Sequence, residues 1–279
     1  MKKIYIVILH YGSLEVTKKC VNSLYKNEHY FTKLIIVNNS NITLTPKNFN
    51  KKEIKIINNG RNLGFAGGVN VGITFSLKEK ANYIVLLNND TQISKPFIEG
   101  LINVFKKHSD LGIVGPSICF QRNNLTIYDL GGKINWLIGR TTHDEVGTID
   151  DNREREVDYV TGAAMIIKRE VFEKIGLFDD SFFLYYEDVD FCIRAHKKGY
   201  KIMVNPKVII THALSKTVGK VSPLAVFHQT RSGLLFGKKY FRRFPYNIYH
   251  RVFIIMQTAI IMTKHPSLTT SLLKAFYTQ

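Results

Sequence analysis

The chain opens on a short apolar run, Ile4 to Leu9, and then changes period, with Leu14, Thr17, Val21 and Leu24 recurring at helical spacing. The alternation continues. Lys33 to Val37 and Glu53 to Ile57 predict strands, and Gly67 to Leu77 predicts a helix. Tyr83 to Leu87 predicts a buried strand, and Pro96 to Phe105 a helix with Ser94 or Lys95 near its N-terminus. Strands alternating with helices imply an α/β fold, a mostly parallel sheet with helices on both faces. Ligands of such a sheet gather at the carboxyl ends of its strands.

Past Leu111 the pattern loses its regularity. Gly131-Gly132, Gly139 and Gly147 mark turns, and Asp144 to Glu156 is charged and loop-like, so an insert or substrate loop is expected here. Val157 to Lys168 predicts a strand passing through Gly162-Ala163-Ala164, and Arg169 to Ile175 a short helix closed by Gly176. Asp188 to Lys198 predicts a helix closed by Gly199, and Lys201 to Thr211 a return to the sheet. From Ser222 onward aromatic and basic residues mix with apolar positions at helical spacing. The division expected is a main domain, residues 1–215, followed by a basic, aromatic helical extension, residues 216–279.

With 279 residues, 45% of them hydrophobic, and only seven prolines, the chain can bury a large core and is neither disordered nor of low complexity. Cys20, Cys119 and Cys192 are widely spaced and form no CxxC pair, which argues against a disulfide framework or a cysteine-rich zinc site and suits a reducing compartment. The N-terminal apolar run ends at Leu9 without a cleavage signal. The longest apolar stretch, Val252 to Thr263, is interrupted by Gln257 and falls short of the roughly 20 residues that span a bilayer. No transmembrane helix is expected.

Charge changes the picture through its distribution. The net charge is +17, yet all 22 acidic residues lie at or before Asp190, whereas 15 of the 39 lysines and arginines follow it. A one-sided basic region attracts a polyanion, either nucleic acid or an anionic membrane surface; a solvated basic face without a partner is the alternative.

Four places carry candidate chemistry. The strand Tyr83 to Leu87 delivers Asn88-Asn89-Asp90-Thr91 at its carboxyl end, where Asp90 either holds a divalent cation or starts a turn. The segment from Asn58 to Asn70, rich in glycine and asparagine, follows a strand and leads into a helix; it reads as a phosphate loop or as a flexible turn, and matches neither GxxxxGK[ST] nor GxGxxG. Glu187, Asp188 and Asp190 follow the aromatic run from Phe182 to Tyr186, an arrangement that raises a carboxyl pKa for general-base work or that complements a helix N-terminus. Asp190 and Arg194 are four apart and can pair, which leaves Asp188 the better chemical candidate. His212 follows the strand Val208 to Thr211 and can reach the same sheet edge as Asp90, although a lone histidine is more often structural. Trp136, the single tryptophan, can stack on a sugar or make an ordinary lid contact.

Taken in order, IVILHYGS, LIIVNNS, NNGRNLGFAGGVNVGI, YIVLLNNDT, VDYVTGAAMIIKREVFEKIGLFDDSFFLYYEDVDFCIRAHKKGY and IITHALS resemble the inverting glycosyltransferases of family 2. They are most similar to the rhamnosyltransferase-like branch that builds bacterial surface polysaccharides, over residues 4 to about 215. The resemblance implies a GT-A fold, a nucleotide-diphosphate sugar donor such as dTDP-rhamnose or a UDP-sugar, and Mn²⁺ or Mg²⁺. It places Asp90 and His212 at the metal, and Tyr11, Asn38, Asn62, Asn70, Asn88 and Asn89 around the nucleotide. Asn38 stands where the family commonly has Asp, and Asn88 replaces the first acid of a DxD-like motif. Asp188 matches the catalytic base, with Glu187 beside it to orient the acceptor or tune the base, and Thr161, Gly162 and Trp136 fall at the acceptor pocket. The acceptor implied is a polyprenyl-diphosphate-linked sugar or an oligosaccharide. The basic C-terminus, densest at Lys238, Lys239, Arg242 and Arg243, then finds its partner in the inner face of the cell membrane, and nucleic acid is not expected.

Overall fold

The computed structural model describes residues 2–50, 53–212 and 222–277. Its first half repeats strand and helix: β1 (Ile4–His10), α1 (Leu14–Asn27), β2 (Lys33–Asn38), β3 (Ile54–Asn58), α2 (Gly64–Lys78) and β4 (Tyr83–Asn88). There follow β5 (Thr91–Gln92), α3 (Ile98–Lys107), β6 (Leu111–Arg122), β7 (Leu125–Asn135), β8 (Arg140–Val146), β9 (Arg155–Glu156) and β10 (Ala164–Lys168). Next come α4 (Arg169–Ile175), α5 (Glu187–His196), β11 (Lys201–His212), α6 (Pro223–Tyr240), α7 (Tyr246–Lys264) and α8 (Thr269–Tyr277).

The main path of the sheet runs β3-β2-β1-β4-β10-β6-β11-β5. Six of these eight strands point one way, with β10 and β5 reversed, so the sheet is mixed but mostly parallel along that path. Period-two alternation divides its core. Ile4, Ile6 and Ile8 face α1 and α3 through Cys20, Val21, Leu24, Ile98 and Leu101, whereas Tyr5 and Val7 face α2 and α5 through Ala66, Val69, Ile73 and Phe191. Every residue from Ile4 to Ile8 is at most 3% exposed, which is why β1 reads as an unbroken apolar run. Because β2 and β3 lie on one side of β1 and β4 on the other, chain order reverses between β1 and β4 and opens a crevice at their carboxyl ends.

Three expectations are corrected. The stretch after Leu111 is an antiparallel ribbon, β6-β7-β8, and Gly131-Gly132 lie inside β7 at a register shift rather than in a turn. The expected strand from Val157 begins only at Ala164; before it, Tyr159 makes an isolated antiparallel bridge to Gly132 instead of continuing β10. Helix α3 is capped by neither Ser94 nor Lys95: the Glu28 carboxylate, at the end of α1, accepts from the backbone N–H groups of Phe97 (2.8 Å) and Ile98 (3.0 Å). Behind the sheet, α6 packs into the shared core, with Phe236 and Phe241 in the same buried cluster as Tyr5 and Val7. The boundary near residue 215, and Ala213, Leu214 and Ser215 of the last quoted segment, lie outside the described residues.

Candidate active site

The carboxyl end of β4 is held by a short list of polar contacts. Asn89 Nδ2 donates to the Tyr11 carbonyl (3.3 Å) and to Thr17 Oγ1 (2.9 Å), closing the β1 side of the crevice. The Asn88 N–H donates to the Ala163 carbonyl (2.9 Å), tying β4 to the segment before β10. One residue earlier, the Gly162 N–H donates to Asp188 Oδ2 (2.9 Å). On the other side of β4's end, His212 Nε2 lies 2.8 Å from Asp90 Oδ1, with both side chains partly open to solvent. Asp90, Asn88, Gly162, Asp188 and His212 therefore belong to one bonded neighbourhood at one edge of the sheet.

The glycine-rich and acidic segments meet. Gly64 has φ +75°, and a Cβ there would lie 2.4 Å from the Phe183 carbonyl, so this position requires glycine. The close approach lets the Phe65 N–H donate to Phe183 O (2.7 Å). Tyr185 and Tyr186, immediately before α5, both sit at φ 68°, a left-handed conformation that costs non-glycine residues of order 1–3 kcal/mol each. The surrounding clamp that holds them comes from α6. Ser232 Oγ donates to Leu184 O (2.8 Å), Arg231 Nη1 donates to Ser181 O (3.0 Å), and the Tyr186 ring packs 5.1 Å from that of Phe236.

The carboxylates that follow differ sharply. Burial lifts the Asp188 carboxyl above the ordinary aspartate range, opposed by the N–H groups of Gly162 and Val189 and by His143. Glu187 is only 5% exposed, and its Oε2 has no hydrogen-bond partner. Burial, with the neighbouring Asp188 charge second, raises its pKa well above the usual carboxylate value. Asp190, fully buried, is neutralised: Arg194 Nε (2.8 Å), Lys239 Nζ (2.6 Å) and Tyr240 OH (2.6 Å) surround it. The expected Asp190–Arg194 pair is thus present, and Lys239 also reaches Asp179 at 2.6 Å.

Other candidates have different surroundings. Asn38 is buried and bonded within the protein, its Nδ2 donating to Asn58 Oδ1 (2.7 Å) and its Oδ1 accepting from Ser40 Oγ (2.8 Å). Asn70 staples α2 to the segment before α5, exchanging hydrogen bonds with the backbone of Phe178 at 2.8 and 3.0 Å. Asn62 Oδ1 accepts from Gly64 N (2.9 Å) and from Asn39 Nδ2 (2.8 Å). Tyr11 stands at the cleft mouth, 54% exposed. Thr161 Oγ1 accepts from the Ala163 N–H (3.3 Å). Trp136 stacks on Phe241 (centroids 6.0 Å, 27°) and meets Tyr240 edge-on, which places it at the junction of the β7–β8 hairpin with the end of α6.

Sequence reasoning passed over Asn39 and the pair Asp129–His143. Asn39, in the same NNS segment as Asn38, is the hub that joins Asn59, Asn62, Leu63 and Gly64; its place at a strand end was the available signal. Asp129 Oδ2 lies 2.8 Å from His143 Nδ1, and the imidazole meets the Tyr159 ring edge-on at 5.3 Å. Burial lowers the His143 pKa, but the hydrogen bond and charge of Asp129, joined by the charges of Asp188 and Glu145, carry it net upward. No local pattern marks these two residues, because a ribbon alone brings them together.

An open sheet with its chain reversal at β1/β4, a glycine-rich turn against an acidic loop, and a carboxylate–imidazole pair at the same edge define a GT-A fold. The solved structure of GalNAc-T7 with UDP, GalNAc and Mn²⁺ shares it at TM-score 0.65 and 13% identity, covering 95% of this chain and 58% of that one. Residues 5–176 match the family Glycosyl transferase family 2, and the chain belongs to that family. The Low-salt glycan biosynthesis hexosyltransferase Agl10 of Haloferax volcanii is 29% identical over 208 residues, 71% of this chain and 62% of its own length. The dTDP-rhamnosyl transferase RfbF of Shigella flexneri is 24% identical over 269 residues, 93% of this chain and 88% of its own. This chain therefore spans less than two thirds of the archaeal relative and most of the bacterial one.

Proposed function

We propose that this glycosyltransferase moves a deoxyhexose, rhamnose from dTDP-rhamnose, to a hydroxyl of a lipid-linked or oligosaccharide acceptor, inverting the anomeric centre. The observation that carries the reading is the Gly162 N–H to Asp188 bond, which holds a desolvated carboxylate at the edge where Asp90 and His212 pair. Asp188 accepts the acceptor's hydroxyl proton as that oxygen bonds to the anomeric carbon. The bond from that carbon to the diphosphate breaks on the opposite face, and its electron pair leaves with the diphosphate oxygen. A positioned base contributes roughly 10²–10⁴ in rate. The unpartnered Oε2 of Glu187 gives an acceptor hydroxyl a buried group to satisfy.

Among the described residues no group of three or more His, Cys, Asp or Glu side chains could hold a metal unaided. Asp90 and His212 fit a divalent cation as a partial shell, one carboxylate oxygen and one imidazole nitrogen, which diphosphate oxygens and water would complete. Such a cation, when bound, neutralises charge on the departing diphosphate.

The test is a thermal-shift panel of nucleoside diphosphates and their sugars with and without Mn²⁺, paired with a transfer assay. A ligand that binds only the native state raises Tm by mass action. Asp188→Asn is expected to keep the dTDP-rhamnose shift and lose transfer by about 10²–10⁴-fold, while Asp90→Asn loses the Mn²⁺-dependent part of the shift. Undiminished transfer in Asp188→Asn, or no shift with any nucleotide sugar, defeats the proposal. The archaeal relative is named a hexosyltransferase with no donor nucleotide in its name, and the second reading keeps the same site with a UDP-sugar donor. A shift confined to UDP-sugars would select it.

A further inference from the structure

The helices behind the cleft leave one surface uncovered. The residues of α7 that turn inward are His250, Ile254 and Thr258. At about 100° per residue, Ile248, Val252, Ile255, Met256, Ala259 and Ile260 form a single apolar arc opposite them, and all six are exposed. Met256 is 60% exposed, and Phe244, just before the helix, is 78% exposed. A helix that turns a contiguous apolar arc outward is covered by something.

Cations border the arc. On the helical wheel Arg251 flanks one edge and Lys264 the other, and Arg242 and Arg243 immediately precede Phe244. Lys239, by contrast, is engaged by Asp179 and Asp190. Among the described residues Arg242, Arg243 and Arg251 have no carboxylate partner, and no acidic residue follows Asp190 in the chain. Beside the arc, a cavity of about 790 Å³ between the helices combines Lys238, Arg242 and Arg251 with the apolar walls of Leu234, Ile255 and Phe276.

We propose that this face seats the protein on an anionic phospholipid bilayer, with α7 lying in the interface plane. Val252, Ile255, Met256 and Ile260 enter the acyl boundary, and Arg242, Arg243 and Arg251 meet the phosphates. Charge complementarity selects this occupant. A second copy would set cations against cations, with no carboxylate on these helices to pair them. A nucleic acid would answer the cations and leave the Ile/Val/Met arc in water. A bilayer with anionic headgroups satisfies both. The surface stands on its own geometry, and it rests on the transferase reading only for its use. Helix α6 bonds the Ser181 and Leu184 carbonyls ahead of Asp188 and, through the Gly233 carbonyl, meets the His250 ring of α7, so one helix links the proposed membrane face to the cleft.

The test is co-sedimentation of the full chain with phosphatidylglycerol-containing vesicles and with neutral phosphatidylcholine vesicles. The wild type is expected to bind the anionic vesicles. The double variant Val252→Glu/Met256→Glu is expected to lower the partition coefficient by about tenfold or more at low and high salt alike. Arg242→Gln/Arg243→Gln/Arg251→Gln is expected to lower it by on the order of a hundredfold at low salt only. Both variants should keep the wild-type Tm without ligand, so lost binding is not lost folding, and a failed donor assignment leaves this result intact. Wild-type vesicle binding by Val252→Glu/Met256→Glu overturns the proposal. So does light scattering that shows a dimer which this variant dissociates, since the arc would then be an interface between copies.

Discussion

Glu187 and Asp188 are adjacent in the chain, yet only one of them has its charge cared for. Asp188 accepts two backbone N–H bonds, from Gly162 (2.9 Å) and Val189 (2.8 Å), whereas Glu187 Oε2 accepts none. Because the folded-state pKa of Glu187 is raised, the native protein holds a proton that the unfolded chain releases, and stability falls as pH rises from the ordinary glutamate range toward the raised value. Glu187→Gln is therefore expected to raise Tm at neutral pH and to leave it unchanged near or below about pH 4, as calorimetry across pH would show. His143 acts on the other carboxylate. Its charge favours the ionised form of Asp188, so His143→Gln should move the acid limb of kcat/KM to higher pH and leave the plateau above it in place. An unmoved limb would mean that the Asp129–His143 pair serves the ribbon alone.

Elements here are completed by residues far away in sequence. Helix α3 takes its N-terminal acceptor from Glu28, which no scan of the residues before Pro96 could find. Helix α7 is keyed to its neighbours through His250, whose ring nitrogens lie 2.9 Å from the carbonyl oxygens of Ile138 and Gly233 and whose ring stacks on Phe241 at 5.2 Å. A Cβ on Gly237 would approach that ring to 2.0 Å. Intrinsic propensity favours alanine over glycine within α6 by about 1 kcal/mol, but overpacking costs about 1–3 kcal/mol, so the steric term wins. Gly237→Ala is expected to destabilise the protein by a net amount of up to about 2 kcal/mol, seen in denaturant unfolding and as faster hydrogen exchange in α7. A stabilised variant would show that the ring yields.

At the scale of the whole molecule, the C-terminal helices do not merely follow the transferase core. Phe236 and Phe241 belong to its second buried cluster, and Lys239 and Tyr240 close around Asp190. Removing partners from a buried charge costs about 3–5 kcal/mol, against a total stability of roughly 5–15 kcal/mol for a folded domain. Deleting residues 222–279 also strips the clamp from the strained tyrosines, so the remaining chain should lose cooperative unfolding and near-UV dichroism. A truncated chain that melts cooperatively and keeps its nucleotide-sugar shift would show instead that the helices after residue 215 are dispensable to the fold.

Local pattern determined what local physics controls. Buried strands such as β1 and β4 are continuous apolar runs, α1 shows its 3.6-residue stripe, and the candidate polar groups stand where strands end, at Asn88 to Asp90 and at His212. The ribbon β6-β7-β8 stayed illegible because β8 faces solvent and β7, though half-buried, is broken by Asp129 and Gly131-Gly132, so neither carries an apolar run. Only the tertiary structure decided which carboxylate is desolvated, which is caged and which is paired with a histidine. Asp188, Asp190 and Asp90 are chemically identical side chains, and what separates them is dielectric surroundings and bonding partners delivered from distant segments: Gly162, Lys239 and His212.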